Sequence, residues 1–582
     1  MRAVVAEIKR AKAGLKPTET VVTQRNGIRF IENDGAVSLL PAARTCSRCG
    51  LLEIVCKCTL CADEKSEYIG NTFIISDIGV PVGKGAFSAR SLPAGTVVLR
   101  EIPIVWVPLG APGDDDCSIC GLDETFYHDE SLCTLCSRAS VAASCYGTSE
   151  KLLVAALQLY LRVQRHGQQQ QQQRHVKSDA FASSLSDAMN LATPDSQVDT
   201  EWIKSHKKAF CDILQFDGGV CGESAVNDLI KCAHIINSNA HALNDGGSDC
   251  FGFGLFPMIA MLNHSCCNNC TFSAASDGRT MEVRTVKQVT KGEQLTLRYC
   301  NTYLPRAERQ ALLQRERFFE CCCSRCEKSD CEEMLSGVAC STNECSGYFA
   351  FSADHKSANI CSKCGSIASP ERLAYVKKCI DDLTRLSAVT NKGNVETVNR
   401  SALAKALEGA VGVLHPNHYR IMCGTRLLLS IALKRADKTC GKSVDDRCAH
   451  ADAIRYASSL ISCLKSPICP PYSVETASIY ICLGDLYSSV AQQAKIDGNT
   501  SDEAAGFLTK AEEAFQEAMR HQAVCLGKSH PATIHTEERL YRTKVSKQMA
   551  FERLQKNTRR KKSCQITHVP PTDGVSPVAL SN

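Results

Sequence analysis

The chain has 582 residues and a mass of 63.2 kDa, more than one hydrophobic core organises, so roughly two to four domains are expected. With 44% hydrophobic and 22% charged residues, the composition excludes a wholly disordered chain. The net charge of +5 is matched by the window Phe551–Cys564 alone, six basic residues against Glu552, so the rest is near neutral and is not built to neutralise a phosphate backbone.

Cysteine is the unusual residue, 36 in all. The Met1–Thr20 segment has no apolar core of a secretory leader, and no run reaches the roughly 18 apolar residues of a membrane span. Reduced, metal-binding cysteines are therefore expected, with zinc the natural ion. The first cluster holds Cys46, Cys49, Cys56, Cys58 and Cys61, of which four would bind and one is spare.

From Ile74 to Val107 the pattern predicts short strands around a glycine turn at Gly83-Lys84-Gly85. Two C-x2-C knuckles follow, Cys117/Cys120 and Cys133/Cys136, twelve residues apart. Such spacing lets a turn present two sulfurs to one tetrahedral ion about 2.3 Å away. Lys151–Gln164 reads as an amphipathic helix, and Gln168–Gln173 opens a polar stretch, to about Asp199, expected to be disordered.

The informative stretch is Gly252–Cys326. Met281–Val289 and Gln294–Tyr299 alternate as strands around a Lys291-Gly292-Glu293 turn, and Arg306–Arg317 is helical. Cys321, Cys323 and Cys326 leave a tetrahedral site one ligand short, and Cys266 is the natural supplier. Cys340, Cys345, Cys361 and Cys364 have zinc-ribbon spacing. Scattered thiols such as Cys211, Cys232 and Cys482 read as buried apolar groups.

Beyond about Ser369, amphipathic helical segments run to about Lys556, with a weak repeat marked by Pro416, Pro471 and Pro531 just before helix starts. Stacked helix hairpins of the tetratricopeptide kind are expected. The segment 557–582 is expected to be a basic disordered tail.

In order along the chain, Gly83-Lys84-Gly85-Ala86-Phe87, Asn239-Ala240-His241, Asn263-His264-Ser265-Cys266, Gly292-Glu293-Gln294-Leu295, Tyr299 and Phe319-x-Cys321-x-Cys323-x2-Cys326 resemble the SET-and-MYND (SMYD) family of SET-domain protein-lysine methyltransferases. Arg309-Gln310 and His415-Pro416-Asn417-His418-Tyr419 are also similar to that family. The resemblance implies an α+β fold: a SET β-fold with an inserted MYND-like finger, a post-SET zinc site, a zinc ribbon and an all-α TPR-like lobe. The corresponding division is 1–70 extension, 71–115 first SET part, 116–150 finger, 151–235 helical insertion, 236–318 SET core, 319–368 post-SET and ribbon, 369–556 helical lobe and 557–582 tail.

It further implies transfer of a methyl group from S-adenosylmethionine to a substrate lysine. Tyr299 would line the reaction channel. Gly83, Lys84, Gly85, Asn239, Asn263, His264 and Phe319 would hold the cofactor, and His241, Arg317 and Phe318 would border the substrate. Arg317 stands where the family often has a channel tyrosine, and the finger lacks the second half of the usual ligand set. A zinc-rich SET-like scaffold without catalysis, binding protein partners through the helical lobe, is the competing expectation. A nucleic-acid role ranks last, because Cys117–Cys136 carries four acidic residues and no Lys or Arg. Cytoplasm and nucleus both fit as locations, with no membrane association.

Overall fold

The computed structural model describes residues 72–79, 83–109, 130–166, 181–191, 193, 200–215, 222–244, 250–275, 277–327, 332–342, 344–351, 359–388, 398–439, 444–465, 470–496 and 501–566, with the backbone of three strands inside 22–39. Those strands, β1 (Val22–Arg25), β2 (Ile28–Asn33) and β3 (Ala36–Leu39), form an antiparallel meander. β3 pairs with β4 (Phe73–Gly79), and β4 with β5 (Gly83–Ser88), giving a five-stranded sheet. The 1–70 segment was expected only as an extension with a cysteine cluster. Instead its backbone extends the first sheet, a contribution the short, weakly alternating runs at 22–39 did not announce.

β6 (Val97–Ile102) and β7 (Val105–Pro108) belong to different sheets, because the chain turns at Pro103 between them. Helices α1 (Glu130–Tyr146) and α2 (Glu150–His166) follow, then β8 (Phe181–Ala182), α3 (Leu185–Met189), α4 (Thr200–Gln215) and α5 (Glu223–Asn239). These helices close a core of Leu153, Leu157, Phe210, Ile213 and Leu229. β9 (Ala240–Asn244), β10 (Cys250–Leu255), β11 (Cys270–Ala274) and β12 (Met281–Thr285) complete two further sheets, ordered β7-β10-β9 and β11-β12-β6-β8. Ile75, Leu92, Leu99, Phe256, Val283 and Leu297 fill the core between them.

Several expectations are corrected. Gly83, Lys84 and Gly85 lie in strand β5, not in a turn. Gln294–Tyr299 is no continuous strand: single bridges tie Gln294 to Phe87 and Leu297 to His264. Part of the stretch expected to be disordered is structured, since β8 pairs in parallel with β6 and Ser184 and Asp187 form a reciprocal cap on α3. The ordering group is Glu101, fully buried in β6, whose carboxylate accepts from the Ser183 hydroxyl and from the Met258 and Ile259 amides. The expected boundary at 235/236 falls inside α5, which continues to Asn239.

After α6 (Arg306–Arg317), α7 (Ser324–Glu327), α8 (Glu332–Ser336) and the hairpin of β13 (Gly337–Ala339) and β14 (Tyr348–Ala350), the chain is helical. α9 (Pro370–Ser387), α10 (Arg400–Ala410), α11 (Tyr419–Thr439), α12 (Val444–Leu464), α13 (Val474–Ile496), α14 (Ser501–Cys525) and α15 (Pro531–Ile566) each pack on the next in succession. Each repeat proline stands at or just before a helix start, where its missing N–H costs nothing. The backbone of α15 runs through Arg559–Lys562 to Ile566, so helix replaces the start of the expected disordered tail.

This lobe docks on the sheet that contains β12. Val286 shares a small core with Cys525 and Leu526, and Gly527, at φ 95°, lies against Arg284 so closely that a Cβ would come 2.5 Å from its Nη2. No described helix is long and apolar enough to cross a membrane.

Candidate functional site

The site grows from one crossing. The segment Asn263–Cys266 runs parallel to Leu297–Cys300: Leu297 N–H donates to Asn263 O (2.9 Å), Ser265 N–H to Leu297 O (2.9 Å), and Tyr299 N–H to His264 Nδ1 (2.9 Å). Asn263 Nδ2 in turn donates to Lys84 O at 2.8 Å, fastening β5 to the same crossing. Gly85 fits closely there: a Cβ would meet Asn263 Nδ2 at 3.0 Å, Gln294 Nε2 at 2.7 Å and Ile78 Cδ1 at 2.5 Å, so those side chains would have to shift. Gln294 Nε2 is buried without a hydrogen-bond partner, which marks a polar cradle beside β5.

Tyr299 donates its hydroxyl to Leu262 O (2.6 Å). Removal from water pushes this phenol up to about 12, although Arg317 pulls it the other way, so it stays neutral at ordinary pH. His264 and Phe319 flank it, with ring centroids 5.5 and 6.5 Å from Tyr299 and 6.1 Å from each other. Burial drives His264 down to about 4, keeping its imidazole neutral and able to accept from the Tyr299 amide.

Phe318 ends α6 in the left-handed conformation (φ 62°, ψ 31°). That reversal turns the chain so that Phe319 reaches the His264 and Tyr299 rings. Arg317 donates to Ser238 O at 2.5 Å, and its guanidinium carbon lies 5.5 Å from the Tyr299 ring centroid. His241, opposite Gly254 on β10, stands edge-on to Phe272 at 5.6 Å. Burial first, then Arg317, lowers it to about 4, and its Nδ1 is buried without a hydrogen-bond partner. Asn239 closes α5, its Nδ2 donating to Ile235 O at 3.0 Å.

Two four-thiolate groups assemble. The sulfurs of Cys266, Cys321, Cys323 and Cys326 lie within 4.8 Å of one another, as do those of Cys340, Cys345, Cys361 and Cys364. A tetrahedral zinc with Zn–S bonds of about 2.3 Å needs sulfurs about 3.8 Å apart. Cys266–Cys326 is 3.6 Å, Cys340–Cys364 3.6 Å and Cys345–Cys361 3.7 Å, so both donor sets fit zinc. Cys46, Cys49, Cys56, Cys58, Cys61, Cys117 and Cys120 lie outside the described residues. Cys133 and Cys136 fall within helix α1 rather than on a loop knuckle, and only their backbone is described.

Sequence reasoning gave no role to the residues that surround the first centre. Arg309, fully buried, donates from Nε to Cys266 Sγ (3.1 Å), from Nη2 to Cys326 Sγ (3.5 Å) and from Nη1 to Leu304 O (2.6 Å). Arg325, also buried, reaches Cys266 O at 3.3 Å. Gln310 clasps Cys321 twice, accepting from its N–H (2.8 Å) and donating to its O (2.7 Å). Two guanidiniums offset the net negative charge of four thiolates on a divalent ion. The available signal was Arg309 at four-residue spacing before Leu313, on the one face of α6 that is buried.

This arrangement, with the glycine strand, the Asn263-His264 crossing, Tyr299 and the thiolate centre behind Phe319, defines a SET-domain protein, and residues 83–300 match the SET domain family. The chain is 25% identical over 336 residues to histone-lysine N-methyltransferase ASHR1 of Arabidopsis thaliana, covering 52% of this chain and 66% of that one. It is 25% identical over 227 residues to a SET and MYND domain-containing protein of Dictyostelium discoideum, covering 33% of this chain and 58% of that one. The chain spans less than two thirds of either relative's length. The chain is thus similar to SET-and-MYND proteins around a matched SET domain. A solved SET domain of LSMT bound to lysine and AdoHcy aligns at 12% identity and a TM-score of 0.23, covering 67% of this chain and 84% of that one.

Proposed function

We propose that the protein is an S-adenosylmethionine-dependent protein-lysine N-methyltransferase. The observation that carries this reading is the placement of Tyr299: hydroxyl fixed on Leu262 O, amide fixed on His264, rings of His264 and Phe319 beside it. S-adenosylmethionine would supply the electrophilic methyl group. Asn263, His264 and the β5 glycines would cradle it, with Lys84 at its carboxylate, Asn239 at its amino-acid end and Phe319 on its adenine. The unpaired Gln294 Nε2 beside Gly85 fits a polar ligand there.

This chain's own work is to admit a lysine, strip it of water and hold the neutral amine in line. Arg317 next to Tyr299 contributes to this, because a fixed cation disfavours an ammonium beside it and so lowers the lysine pKa. A neutral His241 adds no further positive charge at the channel wall. Tyr299, neutral as well, orients rather than accepts the proton.

The same Arg317 favours a second reading, a SET-like zinc scaffold that binds proteins through its helical lobe, if the guanidinium blocks the channel. Calorimetric titration of the zinc-loaded protein with S-adenosylmethionine, paired with radiolabelled methyl transfer to protein substrates, separates the two. Cofactor binding retained in Tyr299→Phe, with transfer reduced about 100-fold or more, is the enzyme's outcome. No detectable binding leaves the scaffold.

A further inference from the structure

The first thiolate centre has more sulfur than a tetrahedral ion uses. Cys300 packs into the same cluster as Cys266, Cys321, Cys323 and Cys326, and the Cys266 thiol is the group that acts on it most strongly. The contact follows from the backbone. His264 bridges Leu297 in parallel, so Cys266, two residues on, and Cys300, three residues on, leave the same crossing. Cys300 is half-buried, so a small oxidant can reach it, and it follows directly on Tyr299.

We infer that Cys300 is an oxidation site, pairing with Cys266 to break the post-SET thiolate centre in response to a hydroperoxide. The inference rests on the reading of Cys266, Cys321, Cys323 and Cys326 as a zinc site. The Cys300 sulfur attacks one peroxide oxygen, the O–O bond breaks, and a sulfenic acid and one water result. The zinc-bound Cys266 thiolate then attacks that sulfenic sulfur, the S–O bond breaks, the S–S bond forms and hydroxide leaves, taking a proton from solvent to become a second water. In sum, one thiol, one zinc thiolate, one proton and one hydrogen peroxide give one disulfide and two waters, with sulfur oxidised and peroxide oxygen reduced.

Zinc left with three thiolates is held weakly and departs. Because Cys266 continues the Asn263-His264 segment and Cys321 follows Phe319, loss of the ion releases both walls of the site together. Reduction with a dithiol and zinc resupply restores the centre, so the change is a reversible switch rather than damage.

The test uses the full, zinc-loaded chain and reads metal, not catalysis. Hydrogen peroxide is added in the presence of a chromophoric zinc chelator, and the products are mapped by mass spectrometry without reduction. The expected result is release of one zinc, accompanied by a Cys266–Cys300 disulfide and reversed by dithiothreitol with zinc. Cys300→Ser should bind the same zinc but release it about tenfold more slowly, whereas Cys322→Ser, at an exposed neighbour outside the cluster, should release it at the wild-type rate. Cys300→Ala serves if the serine variant folds poorly. Wild-type release from the Cys300 variants, or disulfides that never include Cys300, would overturn the proposal. Neither readout depends on methyl transfer, so its failure is separable from failure of the proposed activity.

Discussion

Arg298, the residue before Tyr299, pairs its guanidinium with the carboxylate of Glu475 in the first turn of α13. The helical lobe therefore grips the segment that carries Tyr299. Burial alone would raise the Glu475 carboxyl, but the charge and hydrogen bond of Arg298 outweigh it and hold it below the usual range. The side chains remain 33% and 26% exposed, which moderates the pair's strength. Glu475→Ala should lower stability by about 1–2 kcal/mol in denaturant titration. A double-mutant cycle with Arg298→Ala should show that most of this loss is shared between the two residues.

Metal analysis gives a second check. Four structural zinc ions are expected, from Cys266/Cys321/Cys323/Cys326, from Cys340/Cys345/Cys361/Cys364, from Cys117/Cys120/Cys133/Cys136, and from four of the five cysteines between Cys46 and Cys61. Fewer than three zinc per chain would contradict this. Chelation should lower the thermal midpoint, because binding of structural zinc is folding free energy.

Arg309 should matter to the metal although it is no ligand. Arg309→Leu removes donors to Cys266 and Cys326 at once and should weaken that centre's zinc affinity roughly 10- to 100-fold. Competition with a chelator of known affinity measures it. The ribbon centre, which Arg309 does not touch, should keep its zinc.

Glu101 sets a pH slope. Burial raises its carboxyl to about 7 from an ordinary value near 4.5, against the lowering effect of its three hydrogen bonds. Between those values the folded state holds a proton that the unfolded chain has released, so stability falls as pH rises from about 4.5 to 7. The full effect is on the order of 3 kcal/mol. Denaturation midpoints across this window should decline in the wild type and flatten in Glu101→Gln. Glu475, held below its usual range, acts with the opposite sign and loses its contribution only as pH falls.

The readable parts of the sequence were those with local periodicity or fixed spacing. The helix Arg306–Arg317 was expected with the bounds it has, and the two described cysteine sets follow from counting intervals. What stayed hidden is non-local. Glu101 sits on an ordinary strand pattern, and nothing nearby in the chain shows that Ser183, Met258 and Ile259 converge on it. Arg298 and Glu475 are separated by a zinc ribbon and four helices of the lobe, so neither announces the other. Gln294–Tyr299 alternates like a strand, but its partners on either side are single residues, and periodicity cannot count partners.

The contact between Gly527 and Arg284 has a consequence for how this protein can be divided. Arg284 lies on β12, bonded to Gly95 O at 2.9 Å, and Gly527 presses on it from the turn between α14 and α15. The segment that matches the SET family, 83–300, is a unit of inheritance. The unit expected to melt together is larger, since excising that segment would leave Val286 without Cys525 and Leu526 and Arg298 without its counter-ion. Heredity and cooperativity draw their borders at different places in this chain, and residue 527 lies inside the second border.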